Sequence, residues 1–308
     1  MSMQEAILLP GQGAQFEGLG QDWCEAYEVA AATFAAADRI LGFSLRDKCW
    51  NSGDEIHRTD IAQPAIFTTS VAILRVLEQE GLDLAAVPLS AGLSLGEYTA
   101  LWVADSLDFA DGLALVRLRG EAMQAASEAC PSSMLSLMGA SSEQATQLAE
   151  IGAPHGICQV ANLNAPGQVI LSGELAALAV VESQAREVGV RRTRRLQVAG
   201  GFHSECMRPA ADRLASALEE IEIKAPRVSF LSNVSGVPES DPKQIQEHLA
   251  SQVCSPVLWE KSMRWALDQG LRDFLEPGPG KILAGIMRKI DAEARVRSAA
   301  TPADVVQS

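Results

Sequence analysis

The chain has 308 residues, is 47% hydrophobic and carries a formal net charge of −14, enough apolar content for one large domain or two unequal ones. That acidity argues against nucleic acid as a partner, because affinity there is carried mainly by neutralising phosphates. No uninterrupted apolar stretch reaches the ~18 residues a membrane span needs, and residues 1–6 have neither a basic region nor a signal-like apolar segment, so a cytoplasmic enzyme is expected.

From the N-terminus, residues 6–9 read as a buried strand that ends at Pro10 and a glycine-rich loop, Gly11-Gln12-Gly13-Ala14-Gln15. The loop is no dinucleotide fingerprint, since Phe16 stands where the third glycine belongs. It either donates backbone N–H groups to an anionic centre or is an ordinary turn. Residues 23–41 and 61–77 have helical spacing, the second with Pro64 near its start, where proline is tolerated. A short apolar run at 87–89 leads to Gly92-Leu93-Ser94-Leu95-Gly96 and a helix-compatible stretch at 95–103. Strand, sharp turn with serine at the apex, then helix is the context in which G-x-S-x-G acts as a nucleophile elbow. The glycines answer the strain at the apex and the close approach of helix and strand. Alone, the motif marks a candidate serine nucleophile and no more. A helix at 109–126 carries Arg117 and Arg119, each of which either clamps a carboxylate with its planar fork or faces water.

From about residue 132 the texture changes. Strands are expected at 134–139, 157–162, 168–172 and 190–198, and helices at 142–151 and 175–188. That β-α-β-β-α-β order is the pattern of a small ferredoxin-like unit. The expected fold is therefore α/β: a large α/β-hydrolase-like domain with a parallel sheet, residues 1–130 and 199–308, holding an inserted ferredoxin-like subdomain, 131–198. Beyond the insertion come Gly200-Gly201-Phe202-His203-Ser204, a helix at 207–221, a strand at 228–232 and a helix at 241–252. A further helix closes at 265–270 and a short strand follows at 271–275. The turn Glu276-Pro277-Gly278-Pro279-Gly280-Lys281 then opens a helix ending near 290; Leu275 and Ile282 rule it out as a phosphate loop. The last dozen residues read as a frayed tail.

Cys24, Cys49, Cys130, Cys158, Cys206 and Cys254 form no CxxC pair, which argues for reduced thiols and against a zinc site. His57, His155, His203 and His248 are the only candidates for a neutral-pH base. Arg191, Arg192, Arg194 and Arg195 form a local basic patch, either a docking site or a strand edge guarded by charge.

Several of these stretches coincide with one family. The chain resembles malonyl-CoA:acyl-carrier-protein transacylases, the enzymes that load the malonyl extender in bacterial and plastid fatty acid synthesis. The resemblance lies in 10–15, 92–97, 118–124, 162–168, 201–204, 233–235, 252–259 and 276–281, in the family's order across almost the whole chain. It implies Ser94 as acyl nucleophile, His203 as its general base, and Gln252 orienting His203 through a backbone carbonyl. It further implies an oxyanion hole from the Gln12 and Leu95 N–H groups and Arg119 as partner of the malonyl carboxylate. Asn162 lies near the pocket, and Phe202 crowds the acyl α-carbon. Malonyl-CoA and an acidic holo acyl carrier protein are the implied substrates, with no cofactor and no metal. The carrier would dock on Arg191, Arg192, Arg194, Arg195, Lys281 and Arg288 of a monomer. Leu93 replaces the family's commoner histidine, and Gly201 its commoner alanine, a change expected to loosen the pocket slightly. Two rivals stand beside this reading: an acyltransferase serving a polyketide synthase, and a serine hydrolase with an acid such as Glu205 or Asp212 behind the histidine.

Overall fold

A computed structural model describes residues 5–305; residues 1–4, part of the segment read above for a leader, and 306–308 lie outside it. The larger sheet is built from β1 (Ala6–Leu9), β2 (Leu89–Gly92) and three later strands. The smaller uses β3 (Ser132–Met138), β4 (Cys158–Ala165), β5 (Gln168–Glu174) and β6 (Arg192–Arg195). β7 (Ser229–Leu231), β8 (Asp273–Pro277) and β9 (Arg295–Ala299) complete the first. Its order is β7-β2-β1-β8-β9, with every pairing parallel. β1 and β2 are buried along their whole length, as strands covered by helices on both faces must be. The second sheet, β4-β5-β3-β6, is antiparallel and carries the helices Ser142–Gly152 and Leu175–Gln184. This is an α/β-hydrolase-like core with an inserted ferredoxin-like unit. The insertion is tied back to the core where β4 bridges Val257, whose N–H and C=O bond to Ala161 and Leu163.

Several local readings change, among them the strand expected at 190–198, which is confined to Arg192–Arg195. The helix expected over 23–41 is two, Gln21–Ala26 and Glu28–Leu41, because Tyr27 adopts an extended φ of −136° and stacks on Trp23. The presumed tail is ordered through residue 305: β9 adds to β8, and Arg297 forks onto Glu5 at 3.0 and 2.7 Å. The helix Thr59–Gln79 is, by length and composition, apolar enough to cross a membrane, although polar residues interrupt its apolar run. Most of that window (83%) is buried against the rest of the protein. It is the central helix of the core.

The elbow between β2 and the helix Gly96–Val103 is tight. A Cβ at Gly92 would meet the Gly96 carbonyl carbon at 1.9 Å, and one at Gly96 would meet the Leu9 oxygen at 2.2 Å. Ser94 itself is left-handed, with φ 54°, a conformation that costs a non-glycine residue on the order of 1–3 kcal/mol and persists where the surroundings enforce it. The enforcement is visible. Leu93 N–H donates to the Leu9 carbonyl at 3.0 Å, and the Asn233 side chain accepts from Ser94 N–H and donates to the Gly92 carbonyl, both at 2.7 Å.

Candidate active site

Ser94, at the carboxyl end of β2, opens into a cavity of about 530 Å³ bounded by both sheets' domains. Gln12, Arg119, Asn162, Phe202 and His203 also line it. A cleft of about 660 Å³ beside Trp265 and Pro166 touches none of the groups around Ser94.

Ser94 Oγ lies 2.8 Å from His203 Nε2, and His203 Nδ1 lies 2.8 Å from the Gln252 carbonyl oxygen. A carbonyl only accepts, so Nδ1 carries the proton and Nε2 presents its lone pair to the serine hydroxyl. His203 is buried and, like Ser94, left-handed, with φ 60°. Burial, with the Arg119 charge beside it, pushes the imidazole down to about 4, against the opposing pull of the Gln252 and Ser255 backbone. The ring is neutral at pH 7. The carboxylates a hydrolase would need are elsewhere: Glu205 pairs with exposed Arg208, and Asp212 is exposed.

Arg119, on the helix Phe109–Ala129, is 1% exposed. It donates from Nη1 to Gln63 Oε1 at 2.8 Å, and from Nη2 to Ser94 Oγ at 3.0 Å and Gln252 Oε1 at 2.8 Å. Its Nε meets no acceptor. Arg117, two residues back on the same helix, points to the surface and pairs with Glu121 at 2.9 Å. Among the described residues, neither the Gln12 nor the Leu95 amide is used in an intramolecular hydrogen bond, and Leu95 N–H sits at the N-terminus of the helix Gly96–Val103. That is where partial positive charge accumulates.

Three polar groups at this centre have no role in the sequence reading. Gln63 is the acceptor for Arg119. Asn233, noted only as part of a matching stretch, holds the elbow. Glu97, on the first turn after the nucleophile, is buried with its carboxylate on Asn233 N–H at 2.8 Å and on the Gln252 side-chain amide. An acid just after an elbow, on a helix face buried against a strand, is the signal that could have found Glu97.

The Gly201 position is filled rather than loose. Ser132 Oγ accepts Gly201 N–H at 2.8 Å, and a methyl there would stand 3.0 Å from Ser132 Cβ. Cys206 is buried and its thiol is pushed up to about 11, which suits packing.

Residues 7–301 match the acyl transferase domain family. A malonyl CoA-acyl carrier protein transacylase of Bacillus subtilis is 36% identical over 299 residues, covering 96% of this chain and 93% of the relative. The chain belongs to the malonyl-CoA:acyl-carrier-protein transacylase family. It is an acyltransferase. The crystal structure of the acyl-carrier-protein S-malonyltransferase from Bartonella henselae superposes with a TM-score of 0.94 at 36% identity, covering 99% of this chain and 98% of that one. A second solved structure is a malonyl-transacylase in complex with its type II PKS acyl-carrier protein. It superposes with a TM-score of 0.94 at 33% identity over 99% and 98% of the two chains.

For this transacylase the predicted docking residues fall into two groups. Arg191, Arg192 and Arg194 are exposed, and the residues that follow, Leu196, Gln197 and Val198, line the cavity. Arg195 instead forks onto Glu182 at 3.1 and 2.9 Å, because alternation along β6 turns it to the other face. Lys281, just before the helix Ile282–Ile290, and Arg288 on it are exposed, and Ile282 and Ile286 of that helix line the cavity.

Proposed function

We propose that this transacylase moves the malonyl group from malonyl-CoA to the phosphopantetheine thiol of holo acyl carrier protein through a malonyl-Ser94 ester. The observation that carries the reading is a serine whose hydroxyl meets a neutral imidazole on one side and a buried, carboxylate-free guanidinium on the other. His203 Nε2 takes the hydroxyl proton as Oγ bonds to the thioester carbon. The Gln12 and Leu95 amides hold the oxyanion, each worth about 3 kcal/mol at that step. Collapse breaks the C–S bond, and the proton on His203 leaves with the thiol of CoA. The carrier's thiol then repeats the sequence in reverse order. A backbone carbonyl behind the histidine supports imidazolium less than a carboxylate would, and an already activated thioester tolerates that.

The malonyl carboxylate pairs with Arg119. In doing so it offsets the charge that, after burial, lowers His203, so the base gains basicity when the correct donor is bound. For the free enzyme the sign is fixed by the depressed value: the neutral, competent form persists down to about 4. The expected profile of kcat/KM for acetyl-CoA, a donor with no carboxylate to clamp, is flat from neutral pH down to about 5, with a midpoint near 4 on the acid limb. A midpoint near 6.5 would contradict it.

The carrier docks where Arg192 and Arg194 lead into the cavity-lining residues 196–198, with Lys281 and Arg288 beside the cavity-lining Ile282 and Ile286. Reversing both arginine charges (Arg192→Glu with Arg194→Glu) should raise the apparent KM for the carrier roughly tenfold and leave acylation by malonyl-CoA unchanged. An unaltered KM would place the docking face elsewhere. Because the type II PKS complex superposes so closely, a polyketide carrier is a second reading. Comparing kcat/KM for the two kinds of carrier separates them.

A further inference from the structure

We propose that Glu97 is a positioning residue for donor selection: it fixes the Gln252 side-chain amide so that the amide oxygen holds Arg119 in place for the substrate carboxylate. The proposal rests on the reading of Arg119 as the malonyl clamp. Gln252 Nε2 faces two groups that only accept, the Glu97 carboxylate and the Ser94 carbonyl, the latter at 2.9 Å. Both amide hydrogens are therefore used, and Oε1 must face Arg119 Nη2, which it meets at 2.8 Å. With the amide reversed, donor would face donor at the guanidinium. The partners of Arg119 in hydrogen bonding are Gln63, Ser94 and Gln252, so no carboxylate competes for it. Glu97 supplies a counter-charge at one remove, through an amide, and leaves the guanidinium available to the substrate. Its second oxygen accepts from Asn233 N–H at 2.8 Å, and the Asn233 side chain holds the elbow. A residue this buried, on both supports of the site and touching no reacting atom, acts on geometry. Burial lifts the Glu97 carboxyl to about 7, and the Asn233, Gln252 and Arg119 contacts oppose that rise.

In Glu97→Gln the side-chain oxygen stays on Asn233 N–H, which only donates, so the amide nitrogen faces Gln252, the Gln252 amide is driven to reverse, and Arg119 loses its fixed acceptor. The test is kcat/KM for malonyl-CoA and for acetyl-CoA as donors, measured on wild type, Glu97→Gln, Arg119→Ala and the double variant. The malonyl-over-acetyl ratio should fall roughly tenfold in Glu97→Gln and change no further when that substitution is added to Arg119→Ala. A purely structural role would lower both donors together, and an unchanged ratio overturns the proposal. Should Glu97→Gln fail to fold, Gln252→Ala replaces it. That change keeps the carbonyl on His203, deletes the linking amide, and must lower the same ratio. If Arg119→Ala itself keeps the malonyl preference, the clamp reading fails and takes this proposal with it. If Arg119→Ala loses the preference while Glu97→Gln keeps it, only the positioning role fails.

Discussion

Replacing His203 with alanine is expected to slow acylation of Ser94 by malonyl-CoA roughly 10²- to 10⁴-fold, the contribution of a well-placed general base. The hydroxyl is a weak nucleophile until its proton has somewhere to go, and His203 Nε2 stands 2.8 Å from it. Arg119 is a donor to the same oxygen and, always charged, takes no proton. It stabilises an alkoxide without making one. Rapid quenching followed by mass analysis of the acyl enzyme measures this step apart from carrier transfer. A loss below about tenfold would assign the base elsewhere.

Arg119→Ala is the second large effect. A malonyl carboxylate carried into the cavity would then lie desolvated and unpaired, and removing one partner of a buried pair costs about 3–5 kcal/mol. The kcat/KM for malonyl-CoA should drop by a factor on the order of 10² to 10³. Acetyl-CoA has no carboxylate to strand, so it should lose far less and become the relatively favoured donor. The acid limb of the profile should also move up, because the Arg119 charge is one of the two causes that lower His203. Malonyl-CoA remaining the preferred donor would contradict the assignment. Gln63 and Gln252 lose their partner in the same variant, so thermal denaturation should be followed alongside.

The parts of this account that sequence can carry are those with local signatures. The elbow announces itself because two glycines and a serine must share five positions, and a methyl at either glycine would strike backbone. The inserted unit is legible because its strands and helices alternate at short spacing with turn residues between them. What sequence cannot carry are partnerships across the fold. Glu97 meets Asn233 and Gln252 across 136 and 155 residues, and nothing in its neighbourhood predicts either. The last dozen residues read as tail, yet β9, which runs into them, is held by β8 and by Glu5 at the far end of the chain. Arg195 reads as one of four equivalent charges until strand alternation sends it to Glu182. Phe202, next to the base in sequence, lines the cavity, and so does Asn162, which the resemblance alone placed near the pocket.

The most direct test of a serine acylated by the help of His203 is intact-mass analysis after mixing with malonyl-CoA alone. Wild type should gain the mass of one malonyl group, and addition of holo acyl carrier protein should discharge it. Ser94→Ala should gain nothing. An adduct of the same mass on Ser94→Ala, or none on wild type, would contradict the account.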